Sequence, residues 1–230
     1  MADRTTPRRL DGLRRAAPVV ALAALLAGCA GGGDDDQGVV TGLKVSDDDG
    51  MHGAVLDQPY SVPDATLTTS TGDDVALHDG FAEADLTLVF FGYTNCPDIC
   101  QAVMADLASA KARLADDDAE RVQVWFVTTD PARDDAATVG EYVDRFDPDF
   151  EGLTGPLDTI VDVATAVHVP IEKGERLETG GYDVTHGTPI LAVEPDGTVP
   201  MLWTEGTSAA KLAEDVATAL GEGIPERQEG

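Results

Sequence analysis

Basic residues are scarce in this chain: 15 Lys and Arg stand against 43 Asp and Glu, a formal net charge of −28. A field of that sign repels nucleic acid and anionic lipid head groups, favours solubility and concentrates cations near the surface. Nucleic acid is thereby excluded as a partner. Solvated acidic faces are common, so the excess of carboxylates does not by itself mark a metal site. Motifs for nucleotide chemistry are missing as well: there is no phosphate loop, no G-x-G-x-x-G and no internal repeat. Cysteine is nearly absent, at three residues in 230. The apolar run Ala16 to Ala27 is shorter than the roughly 20 residues that a membrane span needs.

That run follows Arg8, Arg9, Arg14 and Arg15 and ends in Leu26-Ala27-Gly28-Cys29. Basic residues, a short apolar stretch and small residues before a cysteine are, in that order, a secretory leader with a lipoprotein-type end. Asp11 sits where a twin-arginine leader prefers an apolar residue, which favours the general secretory route. Cleavage before Cys29 leaves a thiol and an amine to be acylated, and two or more acyl chains anchor a protein stably. The expectation is a leader over residues 1–28 and a protein held by Cys29 on the extracytoplasmic face of the cell membrane. The leader carries five Arg and two Asp, so what remains is more acidic still. Ala30 to Asp49 is rich in Gly and Asp and cannot bury enough surface to offset its ordering entropy, so residues 29–54 read as a tether. Residues 55–222 then make one folded domain, and 223–230 a tail. With Cys29 consumed by lipid, Cys96 and Cys100 are left in an oxidising compartment and must be read as a pair.

Within the domain, Tyr60 to Val62, Ala65 to Thr69 and Val75 to Leu77, with the turn residues Thr71-Gly72-Asp73, read as an opening β-hairpin. Leu86 to Gly92 is continuously apolar, as a strand covered on both faces must be, and Val122 to Val127 is a second buried strand. Helical spacing runs from Ala102 to Leu114, from Ala136 to Phe146 and from Leu157 to Val167. A hairpin is expected at Ile190 to Glu194 and Met201 to Thr204 around Pro195-Asp196-Gly197, then a last helix from Ser208, a plausible N-cap, to Leu220. Strand, helix, strand, helix implies a parallel crossover. An added antiparallel hairpin gives an α/β fold of thioredoxin-like plan: a central mixed sheet flanked by helices, with an extra N-terminal β-hairpin.

The chemistry gathers in Gly92-Tyr93-Thr94-Asn95-Cys96-Pro97-Asp98-Ile99-Cys100, where a buried strand ends and a helix opens. Helical spacing would put both sulfurs on one face. Pro97 is tolerated in a first turn, and the free amides there favour thiolate over thiol. Structural zinc wants four protein ligands, which one cysteine pair does not supply. Two thiolates and one imidazole suit Cu(I). Of the four histidines, His52 lies beside the tether, His78 follows a strand and His168 ends a helix, all places for surface or capping residues. His186 stands in Tyr182-Asp183-Val184-Thr185-His186-Gly187-Thr188-Pro189, a loop feeding the strand from Ile190.

F-F-G-Y-T-N-C-P-D-I-C, V-T-T-D-P-A-R-D, E-Y-V-D-R-F, G-L-T-G, Y-D-V-T-H-G and V-E-P-D-G together resemble the Sco/SenC copper-chaperone family from about Val55 to Leu220. The resemblance implies a thioredoxin-like fold with copper held by Cys96, Cys100 and His186. It further implies a role in building the binuclear copper centre of cytochrome c oxidase subunit II, with another copper chaperone as a candidate partner and no donor identified by the sequence. Gln101 and Gly187 depart from the family's habit without removing a ligand, and Asp130 and Arg133 match a motif that the family places near the site. The competing function is a thiol-disulfide oxidoreductase in which Cys96 and Cys100 are the redox pair. Regular helical neighbours at this spacing lie about 5–6 Å apart at Cβ, wider than a disulfide's roughly 3.5–4.5 Å, which favours metal. A peroxidase of the same fold would leave His186 without a role.

Overall fold

A computed structural model of the chain describes residues 50–97, 99–176, 182–186 and 188–225, with 172–176 and 182–186 described by their backbone alone. The expected leader, Cys29, the tether up to residue 49, Asp98, Gly187 and the last five residues of the tail lie outside these. All described residues belong to one unit, residues 36–230.

The strand Leu86–Gly92 (β4) lies where the sequence puts it, buried at every position. Its alternate side chains serve two cores: Leu86, Leu88 and Phe90 face one, Val89 and Phe91 the other. Val122–Thr128 (β5) runs parallel beside it, Phe90 opposite Phe126, and splits in the same way, with Val124 and Phe126 on the first face and Trp125 and Val127 on the second. Ile99–Lys111 (α2) makes the crossover between them and buries Cys100, Val103, Met104, Leu107 and Ala110, the spacing of one helical face.

Four strands precede or flank this unit. They are Ala54–Ser61 (β1), Thr66–Thr69 (β2), Asp74–Ala76 (β3) and, after β5, Glu151–Thr154 (β6). Two short helices, Leu77–Phe81 (α1) and Asp116–Ala119 (α3), were not legible in the sequence. Ala136–Val143 (α4) starts at Asp135, whose carboxylate accepts from the Thr138 amide at 2.9 Å, and Leu157–Ala166 (α5) follows β6. Ile171–Arg176 (β7) and Tyr182–His186 (β8) form a separate antiparallel pair. Ile190–Val193 (β9), Thr198–Trp203 (β10) and Ala209–Glu222 (α6) complete the chain, with Ser208 capping α6. The main sheet has the order β1-β10-β9-β4-β5-β6-β2-β3, parallel at β4-β5-β6 and antiparallel elsewhere. This is the expected mixed sheet with helices packed on it.

Three expectations change. The opening hairpin is β2 with β3, turning at Gly72 with φ +88°, and it joins the sheet through β6. Tyr60 and Ser61 belong instead to β1, which pairs with β10 at the opposite edge. Packing begins ahead of Val55: Met51, Gly53 and Ala54 are buried, and Asp215 of α6 accepts from the backbone amides of His52 and Gly53. His186 is not in a loop; it ends β8, opposite Ile171. The alternation Tyr182-Asp183-Val184 is strand-like, but the polar partner Glu172-Lys173-Gly174-Glu175-Arg176 gave no strand signal.

Candidate cysteine site

The sheet brings two chain segments to the first turn of α2. On one side β4 ends at Gly92 and the chain turns through Tyr93-Thr94-Asn95-Cys96, closed by the Cys96 amide donating to the Tyr93 carbonyl at 3.1 Å. On the other side β9 pairs antiparallel with β4, Ile190 opposite Phe90, so the chain entering β9 through Thr188 and Pro189 runs beside the end of β4. The backbone thus carries the segment that follows His186 to the edge where the cysteines emerge.

Both cysteines are free thiols packed into the first core, Cys96 5% exposed and Cys100 fully buried. Cys96 precedes the helix and Cys100 is its second residue; the Cys100 amide donates to Cys96 Sγ at 3.4 Å. The regular-helix distance therefore does not apply to this pair, and spacing alone gives copper no advantage over disulfide chemistry. Nor is Cys100 poised as a thiolate. Burial pushes its thiol far above the ordinary range, the hydrogen bond with Cys96 and the Cys96 charge act the same way, and backbone hydrogen bonding at Tyr93 offsets only part of this. Desolvation outweighs the helix-start amides because the sulfur lies in the core, not in the mouth of the helix. Without a cation nearby, Cys100 keeps its proton.

Behind the pair, Gly92 leaves no room for a side chain: a Cβ there would lie 2.8 Å from Phe126, 3.0 Å from Phe90 and 3.2 Å from Cys100 Sγ. Tyr142 of α4, fully buried, packs against Phe126 at 4.9 Å between ring centres, the rings tilted by 41°. Its hydroxyl has no hydrogen-bond partner among the described residues, and burial raises its pKa well above the usual tyrosine range, making it a weaker acid.

The turn after β5 closes the site from the other side. Thr129 donates to the Gly92 carbonyl from both its amide, at 2.6 Å, and its hydroxyl, at 3.1 Å. Asp130 is ion-paired to Arg133, whose guanidinium lies 6.0 Å from the centre of the Tyr93 ring. Asp134, fully buried, was not singled out in the sequence, although it ends the Thr128-Thr129-Asp130-Pro131-Ala132-Arg133-Asp134 stretch. An acid in the turn that follows a strand buried on both faces, near threonines that can donate to it, was the available signal.

The other histidines stay away from the cysteines. His52 pairs with Glu214 at 3.0 Å, His78 Nε2 lies 2.8 Å from the Val62 carbonyl oxygen, and His168 sits just past α5 with φ +56° against the Tyr60 ring. Among the described residues no three His, Cys, Asp or Glu side chains converge on one point; the His186 side chain is not among them.

Fold and site define a thioredoxin-like protein with a buried pair of thiols at the head of its first long helix. Residues 57–221 match the family model for SCO1/SenC, and the chain belongs to that family. It is 34% identical over 130 residues to the mitochondrial SCO2 homolog of Mus musculus, covering 56% of this chain and 51% of the relative. It is 28% identical over 172 residues to the human mitochondrial SCO1 homolog, covering 72% and 53%. The chain spans about half the length of these curated relatives. Among solved structures, apo Sco1 from Thermus thermophilus superposes with a TM-score of 0.65 at 29% identity, covering 75% of this chain and 99% of that one. ScoI from Bradyrhizobium japonicum with copper bound gives 0.58 at 30%, covering 70% and 96%. ScoI from Arabidopsis thaliana with copper bound gives 0.61 at 26%, covering 71% and 96%.

Proposed function

We propose that this chain is a copper metallochaperone that takes Cu(I) between the Cys96 and Cys100 thiolates with the His186 imidazole as third donor. It would pass the ion by ligand exchange to a partner with similar soft donors, in assembly of the binuclear copper centre of cytochrome c oxidase subunit II. The observation that carries this reading is a pair of adjacent, buried, free thiols of which one holds its proton against ionisation. A soft monovalent cation replaces that proton and supplies the positive charge that a desolvated thiolate needs. An imidazole adds a donor without charge, and it extends the site to Cu(II). Two structural relatives above 25% identity are recorded with copper bound, which agrees.

A thiol-disulfide reductase acting on the oxidase's copper-site cysteines is the second reading, favoured by Cys96 lying in a turn free of helical geometry. His186→Ala separates the two, because dithiol exchange does not need an imidazole. Reduced protein should bind one Cu(I) per chain in competition with a chromophoric chelator, Cys96→Ser and Cys100→Ser should abolish binding, and His186→Ala should weaken it while leaving disulfide exchange intact. Unchanged copper affinity in His186→Ala, with oxidase activity in cells preserved at limiting copper, puts the reductase first.

The place of action proposed is the outer face of the cell membrane, with Cys29 lipidated after removal of residues 1–28. The acidic composition of the following tether supports this, since such a segment keeps a domain soluble at a distance from anionic head groups.

A further inference from the structure

We propose that Asp134 is the positioning residue of the cysteine pair: its carboxylate fixes the turn that delivers Cys96, and so sets the geometry in which Cys96 and Cys100 meet a cation or each other. This rests on the reading of that pair as the working site. Asp134 is fully buried and accepts three hydrogen bonds. Two come from Thr94, the amide at 2.9 Å and the hydroxyl at 2.6 Å, and the third comes from the Thr128 hydroxyl at 2.7 Å. Thr94 is the second residue of the Tyr93–Cys96 turn. Thr128 is the last residue of β5. One carboxylate therefore ties the turn that carries Cys96 to the end of β5.

Asp134 is itself held: its amide donates to the Asp130 carbonyl at 3.0 Å, and its carbonyl accepts from the Thr154 hydroxyl of β6 at 2.8 Å. The acceptor is thus anchored independently of the turn. Short bonds to a buried carboxylate are the strong class of hydrogen bond, and the amide of Thr94 has no sheet partner to replace it. Cys96 is two residues further on, outside any helix, its amide bonded within the same turn to the Tyr93 carbonyl, so the Thr94 bonds to Asp134 tie the turn that carries it to the sheet. Residues that orient a metal-holding group in this way typically change metal affinity about 10- to 100-fold when lost.

The test uses the full chain, reduced and purified, with Asp134→Asn, Thr94→Val, Thr94→Ser and Thr128→Val. Two quantities are measured on each folded variant: Cu(I) affinity by chelator competition, and the equilibrium constant of the Cys96–Cys100 disulfide against dithiothreitol. Urea melting reports stability separately. Asp134→Asn puts an amide against three donors and is expected to lower Cu(I) affinity about 10- to 100-fold and to shift the dithiothreitol equilibrium constant by a similar factor. Thr94→Val, which loses only the hydroxyl bond, should shift both in the same direction by less, and Thr94→Ser should restore wild-type values. Thr128→Val cuts the carboxylate's tie to the sheet, together with the Asp130 amide bond to the same hydroxyl, and should shift both quantities in the same direction as Asp134→Asn by less. If Asp134→Asn does not fold, the contrast of Thr94→Val with Thr94→Ser decides. Variants that lose stability yet bind Cu(I) and equilibrate with dithiothreitol as wild type overturn the proposal and leave Asp134 a purely structural acid. Wild-type protein that binds no Cu(I) defeats the copper reading instead, and the dithiothreitol constants still judge Asp134.

Discussion

Replacing Gly92 by alanine places one methyl group into the wall behind the cysteines. That methyl would stand 2.8 Å from Phe126 Cε2, 3.0 Å from Phe90 Cε1 and 3.2 Å from Cys100 Sγ. Carbon atoms in favourable contact sit about 3.5–4.0 Å apart, so all three neighbours must retreat. None has free space: both rings and Cys100 are fully buried, and Phe126 is backed by Tyr142 at 4.9 Å. Overpacking of this kind costs about 1–3 kcal/mol, while relief of glycine's entropy in a strand returns roughly 0.5–1 kcal/mol. The net expectation is a loss of about 0–2.5 kcal/mol, with a midpoint of roughly 1 kcal/mol or about 2–4 °C in Tm for a domain of this size. Urea and thermal melts of the reduced protein measure it. Gly140→Ala is the control, because its Cβ meets only Ser70, at 3.1 Å, and a helix interior gains from the substitution. Its melt should lie within about 0.5 kcal/mol of wild type. The site should register the difference too, since Cys100 can yield only along its own helix: alkylation and disulfide closure should change in Gly92→Ala and not in Gly140→Ala. A Gly92→Ala protein as stable as wild type, with unaltered thiol chemistry, would show that the rings move freely and that the pocket is not rigid.

Cys100 in the reduced protein, its thiol raised by burial, should resist iodoacetamide at pH values where an exposed thiol, with a pKa of about 8.5, reacts fully. Because the folded value is the raised one, the associated stability is complete below the unfolded thiol's pKa and is lost as pH climbs beyond it, by up to about 1.4 kcal/mol per unit; a melting profile flat from pH 8 to pH 11 contradicts this. Asp215 accepts from the His52 and Gly53 amides at 2.9 Å and from Trp203 Nε1 at 2.7 Å, fastening the entry of the domain to α6. Asp215→Ala leaves buried donors unpaired and should cost about 2–5 kcal/mol in urea unfolding, with a loss under about 1 kcal/mol refuting the latch. Cys29→Ser should move the protein from the membrane fraction to the medium; retention on membranes after a salt wash counts against a lipid at Cys29.

The parts of the fold legible in the sequence were those where one local pattern decides the outcome. Leu86–Gly92 could only be a strand covered on both faces, and Pro195-Asp196-Gly197 could only turn, with Gly197 at φ +83°. What escaped was set by partners far away in the chain. Glu151–Thr154 becomes a strand because Gly152 lets the Val139 backbone approach, a Cβ there falling 3.0 Å from it. Tyr60 and Ser61 pair with Val199 and Thr198 across most of the domain, which no turn signal announces. The candidate site divides in the same way. Cys96 and Cys100 were visible as a spaced pair at a strand end, whereas Asp134 acts through hydrogen bonds to residues 94 and 128 and carries no spacing signature. The acidity of Cys100 was misjudged for a related reason: the sequence shows the helix start, which favours a thiolate, but not the depth of burial that opposes it.

The two cysteines are mounted differently, and that difference bears on how a cargo site of this kind works. Cys100 is built into α2 and fully buried, with its sulfur beside Gly92, so it moves only with its helix. Cys96 stands in a four-residue turn ahead of the helix, its amide bonded to Tyr93 and its sulfur receiving the Cys100 amide. A disulfide brings Cβ atoms to roughly 3.5–4.5 Å, and two thiolates sharing a cation stand further apart, so one mounting must move between the two states. The turn is the mounting with fewer bonds to lose: shifting Cys96 breaks its contact with the Cys100 amide, while the Thr94 bonds to Asp134 hold the start of the turn and no bond within α2 need break. On the copper reading, this makes capture and release a displacement of Cys96 about a fixed Cys100. The neutral Cys100 thiol then has a consequence of its own: each Cu(I) that enters must expel its proton, so affinity rises with pH and a departing ion is replaced by a proton, not by a bare buried charge.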